Sequence, residues 1–431
     1  MSASLAAAPP LTDAMRLRAI VAGSAGNLIE WYDFYVYAFT ALYFSSEFFP
    51  ESDPLVQIMA TSGIFAVGFL MRPFGGWFFG RYADRKGRQA AMVVSVLMMG
   101  AGALLIAVLP TYARIGAAAP ALLLVGRMLQ GFSTGGQYGT AATYLSEIAG
   151  PRRRGFWSSF QYVTLIGGQL SATLVILVLQ QLFGEAGMKE WGWRIAFAIG
   201  AVAAACIVLL RDHMHETASA SDREGDHAGS LVELFRHSTR AFLIVAALTA
   251  GGSLMFYSFT TYMQKFLVLT VGMSKETATL LMTVVLIVFM VQQPLMGLLS
   301  DRIGRRTNMI LFAALGALCT PFLFGALATV QSPLAAFLLI AAGLTICSFY
   351  TSVSGLFKAE LFPVHVRALG VGLAYGIANA VFGGTAENVA LGFKQYGMEH
   401  GFYWYVSAFC VVSLVAALLL PDTRRDNPLD R

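Results

Sequence analysis

The sequence holds 431 residues, of which 57% are hydrophobic and only 12% charged, with a formal net charge of +5. A soluble domain carries roughly 25% charged residues, and one interior of this size cannot hide so many apolar runs, so a soluble globule is excluded and a bilayer is the solvent that fits. The positive balance follows from where the basic residues fall, and nucleic acid is not needed as a partner to explain it.

About 20 apolar residues cross a hydrocarbon core of ~30 Å. On that template the chain reads, in order, as spans near 19–45, 56–82, 90–110, 118–147, 155–183, 191–211, 240–270, 276–300, 307–329, 333–361, 366–396 and 400–420. The expected fold is all-α and polytopic, with twelve transmembrane helices. The first fifteen residues of the tail over 1–18 carry no apolar core with a basic flank, and the first long apolar stretch contains Glu30 and Asp33. That pattern predicts a cytoplasmic tail and no cleaved signal peptide. After the sixth span, residues 212–239 are polar and without apolar periodicity, and are expected to be a flexible linker. It would join a six-helix half over 19–211 to a second over 240–420, with 421–431 as a short tail. Cys206, Cys319, Cys347 and Cys410 each sit in apolar runs with neither disulfide nor metal-ligand spacing.

Short basic loops stay on the cytoplasmic side. Arg81, Arg85, Lys86, Arg88, Arg152, Arg153, Arg154, Arg302, Arg305, Arg306, Arg424 and Arg425 all lie on a terminus or in a loop after an even-numbered span, while Arg114, Lys189, Arg194, Lys275 and Lys394 are the exceptions. Both termini are therefore expected in the cytoplasm, with the basic loops against the anionic leaflet.

The chain repeats itself at about half its length. Gly80, Asp84, Arg85, Gly87 and Arg88 recur with the same spacing as Gly297, Asp301, Arg302, Gly304 and Arg305; Glu147 and Arg154 recur as Glu360 and Arg367; the aromatic string from Trp31 to Tyr37 is echoed from Phe256 to Tyr262. Two related six-span halves are the layout of transporters whose site lies between the repeats near the membrane midplane. The repeated Gly, Asp, Glu and Arg residues named here are read as a cytoplasmic gate. Glycines allow tight turns and close helix approach, and the charges can pair across the halves or against helix ends.

Those loops, with Arg127, Gln130, Gly131, Gly135 and Gly136 in the fourth span, resemble the signature of the major facilitator superfamily. The string from Gly26 to Tyr37 and that from Phe69 to Gly76 are similar to the metabolite:proton symporters within it, a family that includes carriers for citrate, shikimate, proline/betaine and α-ketoglutarate. The resemblance implies a multi-pass protein of the bacterial inner membrane that takes up a small carboxylate with protons. A dicarboxylate such as α-ketoglutarate is expected first, with citrate, shikimate or proline/betaine as alternatives. One position departs from the family pattern: relatives usually carry Glu where this chain has Gln137.

Ionisable groups inside a span cost about 2.5–3.5 kcal/mol each on insertion scales and normally face a cavity or a partner. Here they are Glu30, Asp33, Arg72, Arg127, Lys265 and, near the cytoplasmic end, Lys358. At 1.5 Å per residue, Asp33 and Arg127 fall at nearly the same depth. Asp33, with Glu30 one turn away, is expected to be the proton site and Arg127 its charge partner. The repeat puts Ser258 where the first half has Asp33, which confines the titrating group to one half. Arg suits carboxylates, so Arg72, Arg127 and Lys265 are expected to bind substrate, with hydrogen bonds from Tyr32, Tyr35, Gln161, Tyr162, Gln169, Tyr257, Tyr262, Gln264 and Asn379. Two bland readings compete: Arg72 pairing structurally with Glu30, and Lys265 snorkelling to the interface. The chain has no GxxxxGK[ST], HExxH or GxSxG string. Neither enzyme chemistry nor a cofactor is expected; the proton is the coupling ion and the monomer the functional unit.

Overall fold

A computed structural model describes residues 13–50, 53–86, 88–135, 138, 142, 146, 149, 153–211, 231–363 and 366–421; for 13–26, 80, 81, 83–86, 88–92, 207–211 and 368 only the backbone is described. Among the described residues all regular structure is helical. In the first half the helices are α1 (Asp13–Phe48), α2 (Pro54–Leu70), α3 (Arg72–Lys86), α4 (Arg88–Val108), α5 (Tyr112–Ile115), α6 (Ala118–Thr134), α7 (Arg154–Gly187) and α8 (Trp193–Arg211). After α9 (Leu231–His237) the second half comprises α10 (Thr239–Phe259), α11 (Thr261–Leu269), α12 (Lys275–Ile303), α13 (Arg305–Ala328), α14 (Pro333–Thr351), α15 (Ser354–Leu361), α16 (Arg367–Ala378), α17 (Ala386–Gln395) and α18 (Glu399–Leu418).

Local chemistry explains several boundaries. Asp53 accepts a hydrogen bond from the Leu55 amide and Pro54 opens α2, while Ser274 accepts from the Thr277 amide at the start of α12. Gly304, at φ 91°, turns the chain from α12 into α13, a conformation suited to glycine alone. Among the described residues, eight helical stretches are long and apolar enough to cross a membrane by length and composition. The longest, Arg154–Cys206, has 53 residues. Unbroken, it would extend about 80 Å, far beyond a core of ~30 Å. It is two passes, separated where Gly184 leaves the helix (φ 62°, ψ −175°) and by a π-turn at Met188–Gly192.

Among the described residues, four predicted spans are discontinuous. The second breaks at Met71 between α2 and α3, beside Pro73, whose missing N–H cannot continue the ladder. The seventh breaks at Thr260, the tenth at Ser352 and Val353, and the eleventh passes through a π-turn at Asn379–Gly383. The expectation of a linker over 212–239 needs correcting at its end: 231–237 form helix α9, anchored by fully buried Leu234. Residues 212–230 lie outside the described residues.

The packing repeats six passes on. α4 lies against α6 and α8, as α13 does against α14 and α18; α2 lies against α6, as α12 does against α14; α1 lies against α8, as α10 does against α18. The halves meet along two seams, α7 with α12 and α2 with α17. Outward faces are apolar, with Leu104 and Val108, Val178 and Leu182, Leu318 and Phe322, and Val411 and Val415 exposed one turn apart. In a bilayer those stripes meet lipid.

Candidate transport site

Polar and charged side chains gather inside the bundle between the two seams. Asp33 and Arg127, matched in depth by the sequence, are brought together by α1 and α6, but they do not touch directly. Gln130 stands between them: its Nε2 donates to Asp33 Oδ2 at 2.5 Å, and its Oε1 accepts from Arg127 Nη1 at 2.6 Å. Asp33 and Arg127 are almost wholly buried, and Asp33 Oδ1 has no hydrogen-bond partner. Arg127, expected as the charge partner of Asp33, is thus connected to it through Gln130 in a three-residue relay. The sequence reading used Gln130 only as part of a motif, although its i,i+3 spacing from Arg127 already put both on one helix face.

The two arginines share an aromatic ring. Phe34, the residue after Asp33, lies 4.5 Å from the Arg72 guanidinium carbon and 4.9 Å from that of Arg127. Arg72 also sits over Phe69 at 4.1 Å and Trp31 at 5.1 Å, and Arg127 over Tyr37 at 4.4 Å. Rings supply attraction for a cation without saturating its donors. Arg72 is 6% exposed, yet its Nε and Nη2 have no hydrogen-bond partner. Arg72 and Glu30 line a cavity together with Asn27, Trp31, Tyr138 and Tyr375, the last from the second half.

Lys265 neither snorkels nor faces that cavity. It is fully buried, donating to Glu387 Oε2 at 2.9 Å and to the Ala38 carbonyl at 2.7 Å. Glu387 is a functional candidate the sequence reading missed, although it was the lone acid in an otherwise apolar stretch of the eleventh span. Its carboxylate pairs with Lys265, which was expected to bind substrate.

The predicted hydrogen-bonding residues divide. Tyr32 turns away, donating to the Ala196 carbonyl at 2.9 Å, and Gln264 donates to Thr279 at 3.0 Å. Tyr262 packs against Phe402, and Tyr162 against Phe256. Tyr257 stands edge-on to Phe69, beside Tyr35, Asn379 and Arg72. Asn379 accepts from Ser253 at 2.8 Å, leaving its Nδ2 unpartnered. Gln169 is fully buried with neither amide atom partnered, and Gln161 Nε2 and the Tyr35 hydroxyl are likewise unpartnered. Buried polar groups are rarely left so, although none of these is among the residues that line the cavity with Arg72.

Of the expected gate, the side chains of Asp84, Arg85 and Arg88, with Gly87 and Glu147, lie outside the described residues, as does Gln137, while Gly80 lies in α3. The second-half members are in place. Asp301 accepts from Arg305 at 2.8 Å, and Arg305 Nε stands 3.8 Å from Glu360. Asp301 also reaches across the seam, accepting from the amides of Gly155 at 2.8 Å and Phe156 at 3.1 Å, the first turn of α7 after Arg154. A carboxylate on a helix N-terminus satisfies free amides and meets the positive end of the dipole. Arg367 donates to the Phe362 carbonyl at 3.2 Å, and Arg302 is exposed. Gly155 and Gly297 touch backbone to backbone, since a Cβ on either would stand 2.4 Å from the other's carbonyl oxygen. At the other end of α12, Lys275 pairs with Glu185 at 2.9 Å and Gln181 bonds Glu276, again across the seam.

A family model described as the Major Facilitator Superfamily matches residues 24–386 and 266–431. The chain is 56% identical over 405 residues to the alpha-ketoglutarate permease of Escherichia coli K12, covering 94% of each, and 33% identical over 419 residues to the citrate-proton symporter of Salmonella typhi, covering 96% of this chain and 95% of that one. Its fold is similar to that of the proton:xylose symporter XylE of E. coli, with a TM-score of 0.78 at 18% identity over 97% of this chain and 98% of that one. The fold and the relatives are those of transporters rather than enzymes. With apolar helical passes whose packing repeats along the chain, and with these relatives, the chain is a multi-pass membrane transporter belonging to the major facilitator superfamily.

Proposed function

We propose that the protein takes up a small dicarboxylate, α-ketoglutarate foremost, together with protons across the bacterial inner membrane by alternating access. The observation that carries this reading is Arg72: a buried guanidinium held by three aromatic rings, with two donors unpartnered, on the wall of a cavity that both halves line. Such a group is fitted to a carboxylate, which accepts two parallel N–H bonds. The relative that is 56% identical is named for α-ketoglutarate, and the one at 33% for citrate and protons.

Coupling follows from adjacency. Protonating Asp33 removes the negative end of the relay to Gln130 and Arg127, and Phe34 places the neighbouring residue against both Arg127 and Arg72. Proton and anion thus act on consecutive residues of α1. The functional unit in this reading is a monomer without cofactor, with halves over 19–211 and 240–420 joined by 212–239. The Asp301 end and both termini face the cytoplasm, in keeping with the basic loops. The test is uptake of labelled α-ketoglutarate into proteoliposomes under an imposed proton gradient, with citrate, succinate, shikimate and proline as competitors. Accumulation that collapses with a protonophore and is blocked best by dicarboxylates is expected. Uptake blocked best by proline or shikimate would overturn the substrate, and accumulation indifferent to the gradient would overturn the coupling.

A further inference from the structure

Lys358 is a buried cation that the relay and the gate leave unused. It stands on α15 with no exposed surface, its Nζ donating to Ser354 Oγ at 2.7 Å and to the Tyr138 hydroxyl at 3.2 Å. Around it are the rings of Tyr375 at 4.3 Å, Tyr138 at 5.2 Å, Tyr350 at 5.5 Å and Phe357 at 5.6 Å. Several other buried cations have acids in reach: Lys265 has Glu387, Arg305 has Asp301 and Glu360, and Arg127 reaches Asp33 through Gln130. Among the described residues no carboxylate stands within ion-pair distance of Lys358 Nζ. An aromatic cage attracts an ammonium but replaces only part of the hydration lost on burial.

The position of the cage suggests what completes it. Tyr138, from the first half, and Tyr375, from the second, stack with ring centroids 3.5 Å apart, and both line the cavity that Arg72 lines. The same two rings belong to the cage of Lys358, which is not among the residues lining that cavity. The stacked pair thus connects the surroundings of Arg72 with those of Lys358, and its two rings belong to different halves, so relative movement of the halves shifts one ring against the other.

We infer that Lys358 is the second-half anchor for the substrate's far carboxylate, reached when Tyr138 and Tyr375 separate, while Arg72 holds the other carboxylate from the first half. The inference rests on the dicarboxylate reading above and adds how two acid groups are told from one: a monocarboxylate satisfies one half only, whereas a dicarboxylate ties both together.

The experiment compares competition by α-ketoglutarate and by 2-oxopentanoate, the same five-carbon 2-oxo acid without the second carboxylate, in proteoliposome uptake. Wild-type protein is expected to prefer the dicarboxylate. Lys358→Gln is expected to cut that preference about tenfold or more, the worth of one charge-assisted hydrogen bond, and Lys358→Arg to retain most of it. Ser354→Ala removes the hydroxyl that holds Nζ while keeping the charge; it moves the same ratio by a smaller factor and keeps the test decisive if K358Q is recovered poorly. A ratio unchanged in both K358Q and S354A, whether because both acids weaken equally or because neither does, overturns the role of Lys358 and leaves the dicarboxylate reading standing. Wild-type protein that shows no preference for the dicarboxylate overturns both.

Discussion

At the scale of single residues, the proposed site rests on charges that lipid would not tolerate alone. Replacing Arg72 with Lys keeps the charge but loses the planar fork and much of the stacking on Phe34, Phe69 and Trp31. The KM for α-ketoglutarate is expected to rise about tenfold or more, as for a lost charge-assisted contact, with little change in melting temperature; unaltered kinetics would remove Arg72 from the site. Asp33→Asn keeps the shape and removes the titrating group. Gradient-driven accumulation should be lost while exchange of labelled for unlabelled substrate, which needs no net proton movement, persists; accumulation at wild-type levels would show that Asp33 does not couple. Depth was legible in the sequence because helix rise is fixed, and that is why Asp33 and Arg127 could be matched. Azimuth was not, because these helices are buried on several faces and the apolar pattern does not say which way a side chain points. Tyr32 and Gln264 were assigned to the site and face elsewhere for that reason, and the partnership of Lys265 with Glu387 went unseen.

At the scale of elements, α6 packs onto α2 and α3 with almost nothing between the backbones. A Cβ on Gly131 would stand 1.9 Å from the Gly68 carbonyl oxygen, one on Gly135 1.9 Å from that of Arg72, and one on Gly75 1.8 Å from that of Phe132. Close approach through small residues is how membrane helices gain dispersion contacts where no hydrophobic effect drives them together. Gly131→Val must push α6 away and is expected to destabilise the protein by about 1–3 kcal/mol, the usual range for overpacking. A thermal shift assay in detergent reads it, and an unchanged melting temperature would contradict the contact. In the sequence, Gly131 and Gly135 entered only as part of a family signature, although their four-residue spacing puts both on one helix face. The break at Met71 had a sequence mark in Pro73, but the break at Thr260 has neither proline nor glycine at it, and local propensity gives no warning of it.

At the scale of the whole molecule, bonds cross between the halves at both ends of α12. Alternating access requires that one set yield while the other holds. Asp301→Asn weakens the charge-assisted cap on Gly155 and Phe156 without altering volume, so it should bias the protein toward opening at that end. Alkylation of a cysteine introduced at Ser158, buried in α7, is expected to accelerate several-fold; a rate equal to that in the Asp301 parent would argue against a gate there. The two-half plan was legible because the same strings recur along the chain, and the recurrent packing of α4, α6 and α8 in α13, α14 and α18 is its physical form. The meeting of the halves was not legible. It joins Lys358 to Tyr138 and Asp301 to Gly155, residues that no local pattern connects.

The Gln130 amide is a connector with polarity. It has one donating and one accepting end, and here the first is spent on Asp33 and the second on Arg127. A protonated Asp33 that turned its hydroxyl toward Gln130 would offer a donor to a donor. The contact would then have to break, or the amide would have to rotate and turn its NH2 toward a guanidinium that can only donate. In neither case does the line from carboxylate to arginine remain continuous. A direct salt bridge would weaken by degrees as its acid was neutralised, whereas an interposed amide leaves two incompatible orientations, so a single proton can be read out as a discrete rearrangement.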